Sequence, residues 1–257
     1  MDCGIAVSLK NGVRTIQFNN TKRKNTLTVK TFLTISEILN EDASNDKIRG
    51  TIFTGTGEYF TSGNDLSAAL KQVLKIEGTI ADIQFAYKAF ARALIQYPKL
   101  LVVIVNGPSI GIGVTMCGLC DLIYATENAT FMTPFVKFGI TIEGCSTDLL
   151  PKIMGHTKAN EMLLLGRTIT AHDALQANLV SKIIPQRDIA NFVEDLHKEI
   201  EQLNMASFIN NKKLMKEGTQ KDLLDTFHRE NDYLSEALNS ENFANNMALF
   251  AKRKSKL

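Results

Sequence analysis

Three stretches of this chain carry residue types and spacings that could do chemistry. The first is Phe60-Thr-Ser-Gly-Asn-Asp-Leu66, which follows an expected buried strand. Gly63 permits a backbone shape that other residues resist, so the amide of Asn64 can turn into a pocket. The second is Asn106-Gly-Pro-Ser-Ile-Gly-Ile-Gly113, again after a buried strand. Gly111 and Gly113 flank Ile112 at an expected helix start, where backbone N–H groups are unpaired and lie at the positive end of the helix dipole. Amides so placed suit an anion or a developing oxyanion. The third is Phe138-Gly-Ile-Thr-Ile-Glu-Gly-Cys-Ser-Thr147, where Glu143 stands among uncharged residues. Held against an apolar pocket, its carboxyl would be harder to ionise and suited to moving protons. In an exposed loop beside Gly144 it would be an ordinary surface carboxylate. Glycines after strands also simply turn the chain. The residues alone leave both readings open.

Other chemistries find less support. The second loop fails the dinucleotide fingerprint G-x-G-x-x-G, because Met116 stands where the third glycine belongs, and no Walker lysine follows. His156, His172, His197 and His228 are scattered without metal-ligand spacing and read as surface or capping residues. Cys117 and Cys120 form a lone C-x-x-C, which reads as two small buried helix residues rather than a zinc or redox centre. Four cysteines in 257 residues are too few for a disulfide scaffold and fit a reducing compartment. With 29 basic and 27 acidic residues the net charge is +2, which argues against wholesale nucleic-acid binding. The longest apolar run, Leu100-Leu-Val-Val-Ile-Val105, is far shorter than a membrane span. The opening Met1-Asp2-Cys3-Gly4 has no secretory pattern.

The elements that must position these loops follow from periodicity. Ile5, Val7 and Leu9 alternate, then Ile16 and Phe18, with Asn11-Gly12 between them: a hairpin signal. Thr26 or Thr28 can cap a helix carrying Val29, Phe32, Ile35 and Leu39. Gly50-Thr-Ile-Phe-Thr54 and Leu101 to Val105 read as buried strands, and Leu122-Ile-Tyr124 as a further short one. Between the first two runs a helix through Phe85, Phe90 and Leu94 stops before Pro98. From Asn160 onward the chain reads as mainly helical. One apolar stripe is Ile189, Phe192, Val193, Leu196, Ile200 and Leu203, and another is Leu223, Phe227, Leu234 and Leu238. Strands alternating with helices, then helices alone, predict an α/β fold with a helical C-terminal part. Such terminal helices could cover a neighbouring subunit as readily as their own core.

Taken together, the motifs resemble those of the crotonase superfamily, also called the enoyl-CoA hydratase/isomerase family. Residues 60–66 resemble its first oxyanion loop, and 106–113 with Cys120-Asp121 its second. Ala129-Thr-Phe-Met-Thr-Pro134 and Gly166-Arg-Thr-Ile-Thr-Ala171 add landmarks. The resemblance extends from the hairpin to about Pro185, with the C-terminal helices fitting less specifically. It implies a crotonase (ClpP-like) spiral of ββα turns over residues 1–185. A C-terminal helical, trimerising region of the same domain would occupy 186–254. It further implies a homotrimer or dimer of trimers, and an acyl-CoA substrate whose coenzyme A is part of the substrate, with no separate cofactor or metal.

Residue by residue, the resemblance implies an oxyanion hole from the amides of Asn64 and Ile112. It implies a substrate-binding surface from Ser62, Gly63, Asn64, Asp65, Leu66, Gly111, Ile112 and Phe135. Asp65 is also expected to cap or brace its loop, and Phe135 and Phe138 either to line the acyl pocket or to fill core. Lys22, Arg23 and Lys24 read as a solvated basic cluster, but the equivalent loop of the family lines the coenzyme A site, so Lys24 is a candidate contact to its phosphates or adenine. Asp121 is expected to be structural. The two glutamates of a hydratase match Thr115 and Phe135 here, neither of which can serve as a carboxylate base. Ile142-Glu143-Gly144 resembles instead the corresponding stretch of peroxisomal-type 3,2-trans-enoyl-CoA isomerases, whose catalytic base is that glutamate. The expected activity is therefore an enoyl-CoA delta isomerase with Glu143 as proton shuttle. The alternatives are a hydratase with relocated groups or a non-catalytic acyl-CoA-binding protein. The chain ends Ser255-Lys256-Leu257, a tripeptide read by the peroxisomal import receptor, which predicts the peroxisomal matrix.

Overall fold

The computed structural model describes residues 3–65 and 80–254. The hairpin forms as its pattern predicts. Strands β1 (Ile5–Lys10) and β2 (Val13–Phe18) pair antiparallel around Asn11 and Gly12, whose φ angles of 51° and 75° give the primed turn that matches strand twist. Next come β3 (Gly50–Gly55), β4 (Leu100–Val105), β6 (Leu122–Thr126) and β9 (Lys182–Ile184), all parallel, giving a six-stranded sheet in the order β1-β2-β3-β4-β6-β9. Every residue of β3 and β4 is buried, as expected for parallel strands covered on both faces.

Side-chain alternation along β4 sorts the core into two layers. Leu101, Val103 and Val105 face one layer with Phe18 and Phe53. That face is covered by α1 (Val29–Ser44) through Phe32, Ile35 and Leu39, and by α2 (Ile80–Gln96) through Phe90 and Leu94. Leu100, Val102 and Ile104 face the other layer with Val13 and Ile52, under Leu196 and Ile200 of α8 (Ile189–Glu201). A second, three-stranded sheet is built from β5 (Ser109–Ile110), β7 (Thr130–Met132) and β8 (Ile169–Thr170), in the order β5-β7-β8. The remaining helices are α3 (Ile112–Gly118), α4 (Phe135–Phe138), α5 (Ser146–Met154), α6 (His156–Leu165), α7 (Ala171–Gln176), α9 (Met205–Glu217), α10 (Gln220–Leu238) and α11 (Glu241–Lys254). No helix among the described residues is long and apolar enough to cross a membrane.

Several local expectations need correction. Of the two threonines, Thr28 is the α1 cap, sharing a capping box with Thr31, whereas Thr26 donates to the Gly63 carbonyl. Phe85 is 68% exposed, because five residues along a helix turn it well away from Phe90 and off the buried face. Leu203 lies beyond the end of α8 and is partly exposed. The region after Asn160 also contains β8 and β9, which are too short to carry a strand period. Cys120 lies just past α3 rather than within it, and Cys117 is buried, its thiol pushed up to about 12 by desolvation. Both are free thiols. His197 is not a surface residue. It is 5% exposed behind β2, with Thr15 Oγ1 3.4 Å from Nε2, and burial holds it below its ordinary pKa. Asp121 is structural, as expected. It accepts the Leu101 amide at 2.8 Å and Lys212 at 2.6 Å.

Candidate active site

The two glycine-bearing loops are stitched side by side. Thr61 and Ser109 form a parallel bridge, and the Ile110 amide donates to Thr61 O at 3.1 Å. Asn106 ties the strand ends together, accepting from the Gly55 amide at 2.9 Å and donating to Gly57 O at 2.9 Å. Asn25 holds the same loop from outside through Thr56 O and Tyr59 O. Phe60 anchors it in the core, edge-on to Phe18 at 5.2 Å.

Glycine is required at this seam. A Cβ on Gly63 (φ 84°) would stand 2.7 Å from Ile110 O, and one on Gly113 would stand 2.4 Å from Thr61 Cγ2. Gly111, with φ 58° and ψ −118°, occupies a conformation open essentially to glycine alone.

This stitching leaves two amides over. Leu27 bridges Asn64 by donating to Gly63 O at 2.9 Å and accepting from the Asp65 amide at 2.8 Å. In such a parallel bridge the middle residue turns its own N–H to the other side. Ile112 is the first residue of α3, where an amide has no intrahelical acceptor. Among the described residues, neither the Asn64 nor the Ile112 amide has a hydrogen-bond acceptor.

Glu143 arrives from the connection between α4 and α5. It is buried, 4% exposed, rather than a surface loop carboxylate. The turn that carries it needs two left-handed residues, Gly144 (φ 72°) and Cys145 (φ 58°). A Cβ on Gly144 would meet Thr115 Cβ at 2.7 Å, so this glycine lets the turn close onto α3. Thr115 Oγ1 donates to Glu143 Oε1 at 2.7 Å, while Oε2 accepts no hydrogen bond. Burial pushes the Glu143 carboxyl up to about 7. The nearby Tyr87 and Thr115 hydroxyls favour the anion and pull the other way, and the charge of Glu230 adds to the rise.

One apolar pocket brings Asn64 and Glu143 together, while Ile112 is not among its lining residues. Asn64, Asp65 and Glu143 line it together with Ile80, Ile83, Gln84 and Tyr87 of α2, with Phe135, Phe138 and Ile140, and with Leu234, Leu238 and Phe243 of the C-terminal helices. Phe135 and Phe138 are therefore lining residues. Gly111 backs onto Phe135, 3.9 Å from an ideal Cβ to its ring. The side chain of Ile112 lies in the core. Ser62 donates through its amide to Lys24 O at 2.9 Å, and Asp65 pairs with Arg23 at 2.9 Å, the brace expected of it. Lys24 sits apart from the apolar pocket. It lines a neighbouring cleft with Thr21, Asn25, Gly57 and Tyr59, its ammonium 4.9 Å from the Tyr59 ring centre. Leu66 and the terminal Ser255-Lys256-Leu257 lie outside the described residues.

Two polar residues of this site escaped the sequence reading. Tyr87 accepts the Gly144 amide at 2.7 Å. Glu230 accepts the Cys145 and Thr147 amides at 2.6 and 2.9 Å. Each lies within an apolar helical stripe, Tyr87 three residues before Phe90, Glu230 between Phe227 and Leu234. A polar group on a buried face was the signal that could have found them.

The comparisons give the class of protein, and the fold with its two stitched loops agrees with them. The chain belongs to the enoyl-CoA hydratase/isomerase family, whose profile matches residues 8–256. That span carries the resemblance past Pro185 and through the C-terminal helices. Among its relatives is enoyl-CoA delta isomerase 3, peroxisomal, of Mus musculus, 35% identical over 252 residues that cover 98% of this chain and 79% of that one. Enoyl-CoA delta isomerase 2 of Rattus norvegicus is 35% identical over 99% of this chain, which spans 65% of the rat protein. A crystal structure of an enoyl-CoA hydratase/isomerase from Pseudoalteromonas atlantica T6c superposes with a TM-score of 0.88 at 30% identity, over 97% of both chains. The fold is thus the crotonase fold that the motifs imply.

Proposed function

We propose that this chain is a 3,2-trans-enoyl-CoA isomerase, moving a cis or trans 3-double bond of an enoyl-CoA to the 2-trans position. The observation that carries this reading is the buried carboxyl of Glu143, in an apolar pocket beside Asn64. By the family resemblance Thr115 and Phe135 match the positions of a hydratase's two glutamates, and Thr115 serves here as a hydrogen-bond donor to Glu143. The two delta isomerase relatives support the same reaction.

In this mechanism the thioester carbonyl sits between the amides of Asn64 and Ile112. Glu143 removes a proton from C2 of the 3-enoyl-CoA, and the electron pair delocalises into a dienolate with negative charge on the thioester oxygen. The two fixed amides stabilise that charge more than the ground-state carbonyl, which lowers the barrier. Each such donor contributes on the order of 3 kcal/mol. The protonated Glu143 then returns the same proton at C4, and the double bond moves into conjugation. No redox change occurs, and coenzyme A enters only as part of the substrate. A base whose pKa is about 7 is matched to both halves of this shuttle near neutral pH.

The cleft holding Lys24 is read as a contact region for the coenzyme A moiety. The peroxisomal mouse relative supports a place in the peroxisomal matrix, and a role in β-oxidation of unsaturated fatty acids belongs to the same reading. A homotrimer or dimer of trimers belongs to the same reading.

The test is an isomerase assay with trans-3-hexenoyl-CoA, following ultraviolet absorbance of the conjugated product, for the wild type and Glu143→Gln. Rapid conjugation in the wild type, lost in the variant, is expected. Activity surviving in the variant removes Glu143 from its role. Binding without conjugation in the wild type points to another reaction of the family or to a binding protein, and an added hydroxyl identifies a hydratase.

A further inference from the structure

The carboxylate of Glu230 is a buried group that the proton shuttle does not use. It lies on α10, 5% exposed, far from Glu143 in the chain. Three donors converge on it, all from the turn immediately after Glu143. They are the Cys145 amide on Oε2 at 2.6 Å, and the Thr147 amide and hydroxyl on Oε1 at 2.9 and 2.5 Å. Those two amides open α5, whose first N–H groups would otherwise be orphaned. Cys145 itself is held left-handed at φ 58°, a conformation that a non-glycine residue keeps only when its surroundings impose it. A further tie, the Gly144 amide to the Tyr87 hydroxyl, comes from α2. The turn is therefore clamped from two helices, and Glu143 is the residue that the clamp presents to the pocket.

We infer that Glu230 is a positioning residue for Glu143, aiming the base at the substrate by clamping residues 145–147 from the C-terminal helix. This rests on the reading of Glu143 as the base. It also gives the C-terminal part a task in the site beyond lining the pocket with Leu234 and Leu238. The charge of Glu230 acts on Glu143 as well, since a neighbouring anion disfavours a second one. The other titratable or charged groups around the pair are Tyr87 on α2, Cys145 and Asp148 at the start of α5, and Arg229 on α10 itself.

The experiment compares the full chain with Glu230→Gln, Glu230→Asp and Thr147→Val. One readout is kcat and KM for trans-3-hexenoyl-CoA. The other is a titration of the Glu143 carboxyl carbon by NMR in protein labelled with carbon-13 glutamate, the signal being assigned by its absence in Glu143→Gln. In Glu230→Gln an amide replaces one acceptor oxygen and the charge is gone. The expected result is a kcat lowered on the order of tenfold or more, with KM changed by less than about twofold, because a small misplacement of a base costs turnover rather than binding. The Glu143 midpoint moves to lower pH. Glu230→Asp keeps the charge but loses a methylene of reach, so it restores the midpoint without restoring kcat. Thr147→Val removes a single donor and lowers kcat less, which keeps the test open if Glu230→Gln does not fold. A folded Glu230→Gln with unchanged kcat and an unmoved midpoint overturns the proposal, and so does an unchanged kcat in Thr147→Val should the glutamine variant not fold. If the wild type itself does not conjugate the substrate, the isomerase reading fails. The NMR midpoint then decides the role of Glu230 on its own, and an unmoved midpoint overturns it.

Discussion

Replacing Glu143 by glutamine should stabilise the protein at alkaline pH while abolishing its chemistry. Burial raises the carboxyl from its ordinary value near 4.5 to about 7. The folded protein therefore holds that proton over a pH range in which the unfolded chain has released it. At about 1.4 kcal/mol per pH unit, the difference corresponds to about 3 kcal/mol. The sign follows from linkage: between about 4.5 and about 7 the native state binds more protons than the unfolded state, so stability falls as pH rises, then levels off above the folded value. Below about 4.5 both states carry a neutral carboxyl and the penalty is absent. Glutamine is nearly isosteric, can still accept from Thr115, and never ionises. The variant should match the wild type near pH 4.5 and exceed it by up to about 3 kcal/mol at pH 8.5. For a chain of this size that is on the order of 6–12 °C in Tm. Urea unfolding of both proteins at matched concentration across this pH range measures the difference, in which the other titrating groups cancel. An offset that does not change with pH, or a glutamine variant less stable at pH 8.5, would refute the reasoning that Glu143 is held at a cost in a desolvated pocket.

Two further substitutions separate the parts of the site. Gly111→Ala meets no steric obstacle, since its nearest neighbour is the Phe135 ring at 3.9 Å, but it forces an L-residue into φ 58° and ψ −118°. A stability loss of about 1–3 kcal/mol is expected, together with a fall in kcat as the adjacent Ile112 amide shifts; circular dichroism melts and steady-state kinetics check both. Thr115→Val deletes the 2.7 Å donor that favours the Glu143 anion. The acid limb of the kcat/KM profile should move to higher pH, with activity lost near pH 6.5 and largely recovered near pH 9. A profile unmoved in a folded Thr115→Val variant argues that the hydroxyl only fills space.

Much of the frame was legible because local sequence carries it. Leu100-Leu-Val-Val-Ile-Val105 reads as a strand covered on both faces, and alternate residues of it do feed two separate core layers. Asn11-Gly12 announces the hairpin through its need for positive φ. The glycines of the two loops were legible as backbone requirements, although not what each one avoids. That Gly63 must clear Ile110 O, and Gly113 must clear Thr61, follows only once both loops lie in one bridge. The short strands β5 and β8 were hidden because two residues have no period. Phe85 and His197 were misjudged for opposite reasons. Composition favours burying the first and exposing the second, while the helix phase of Phe85 and the packing of α8 on β2 decide otherwise.

The harder step was the environment of Glu143. Its residue type and apolar flanks left base and surface carboxylate both open, and only the family resemblance pointed to a base. Its proton affinity is set by burial and by groups from three other segments, Tyr87 of α2, Thr115 of α3 and Glu230 of α10. None of these adjoins another in sequence, so no window of the chain contains the cause. What the sequence does record is their cost. A tyrosine on the buried stripe of α2 and a glutamate on that of α10 each give up apolar burial that a leucine would supply. Both find hydrogen-bonding partners in the single turn after Glu143. A helix that places a charge on its inward face must be pairing it with something, and here that partner is the turn that follows Glu143. The polar exceptions to an apolar stripe are accordingly where the sequence of this protein points from its fold to its chemistry.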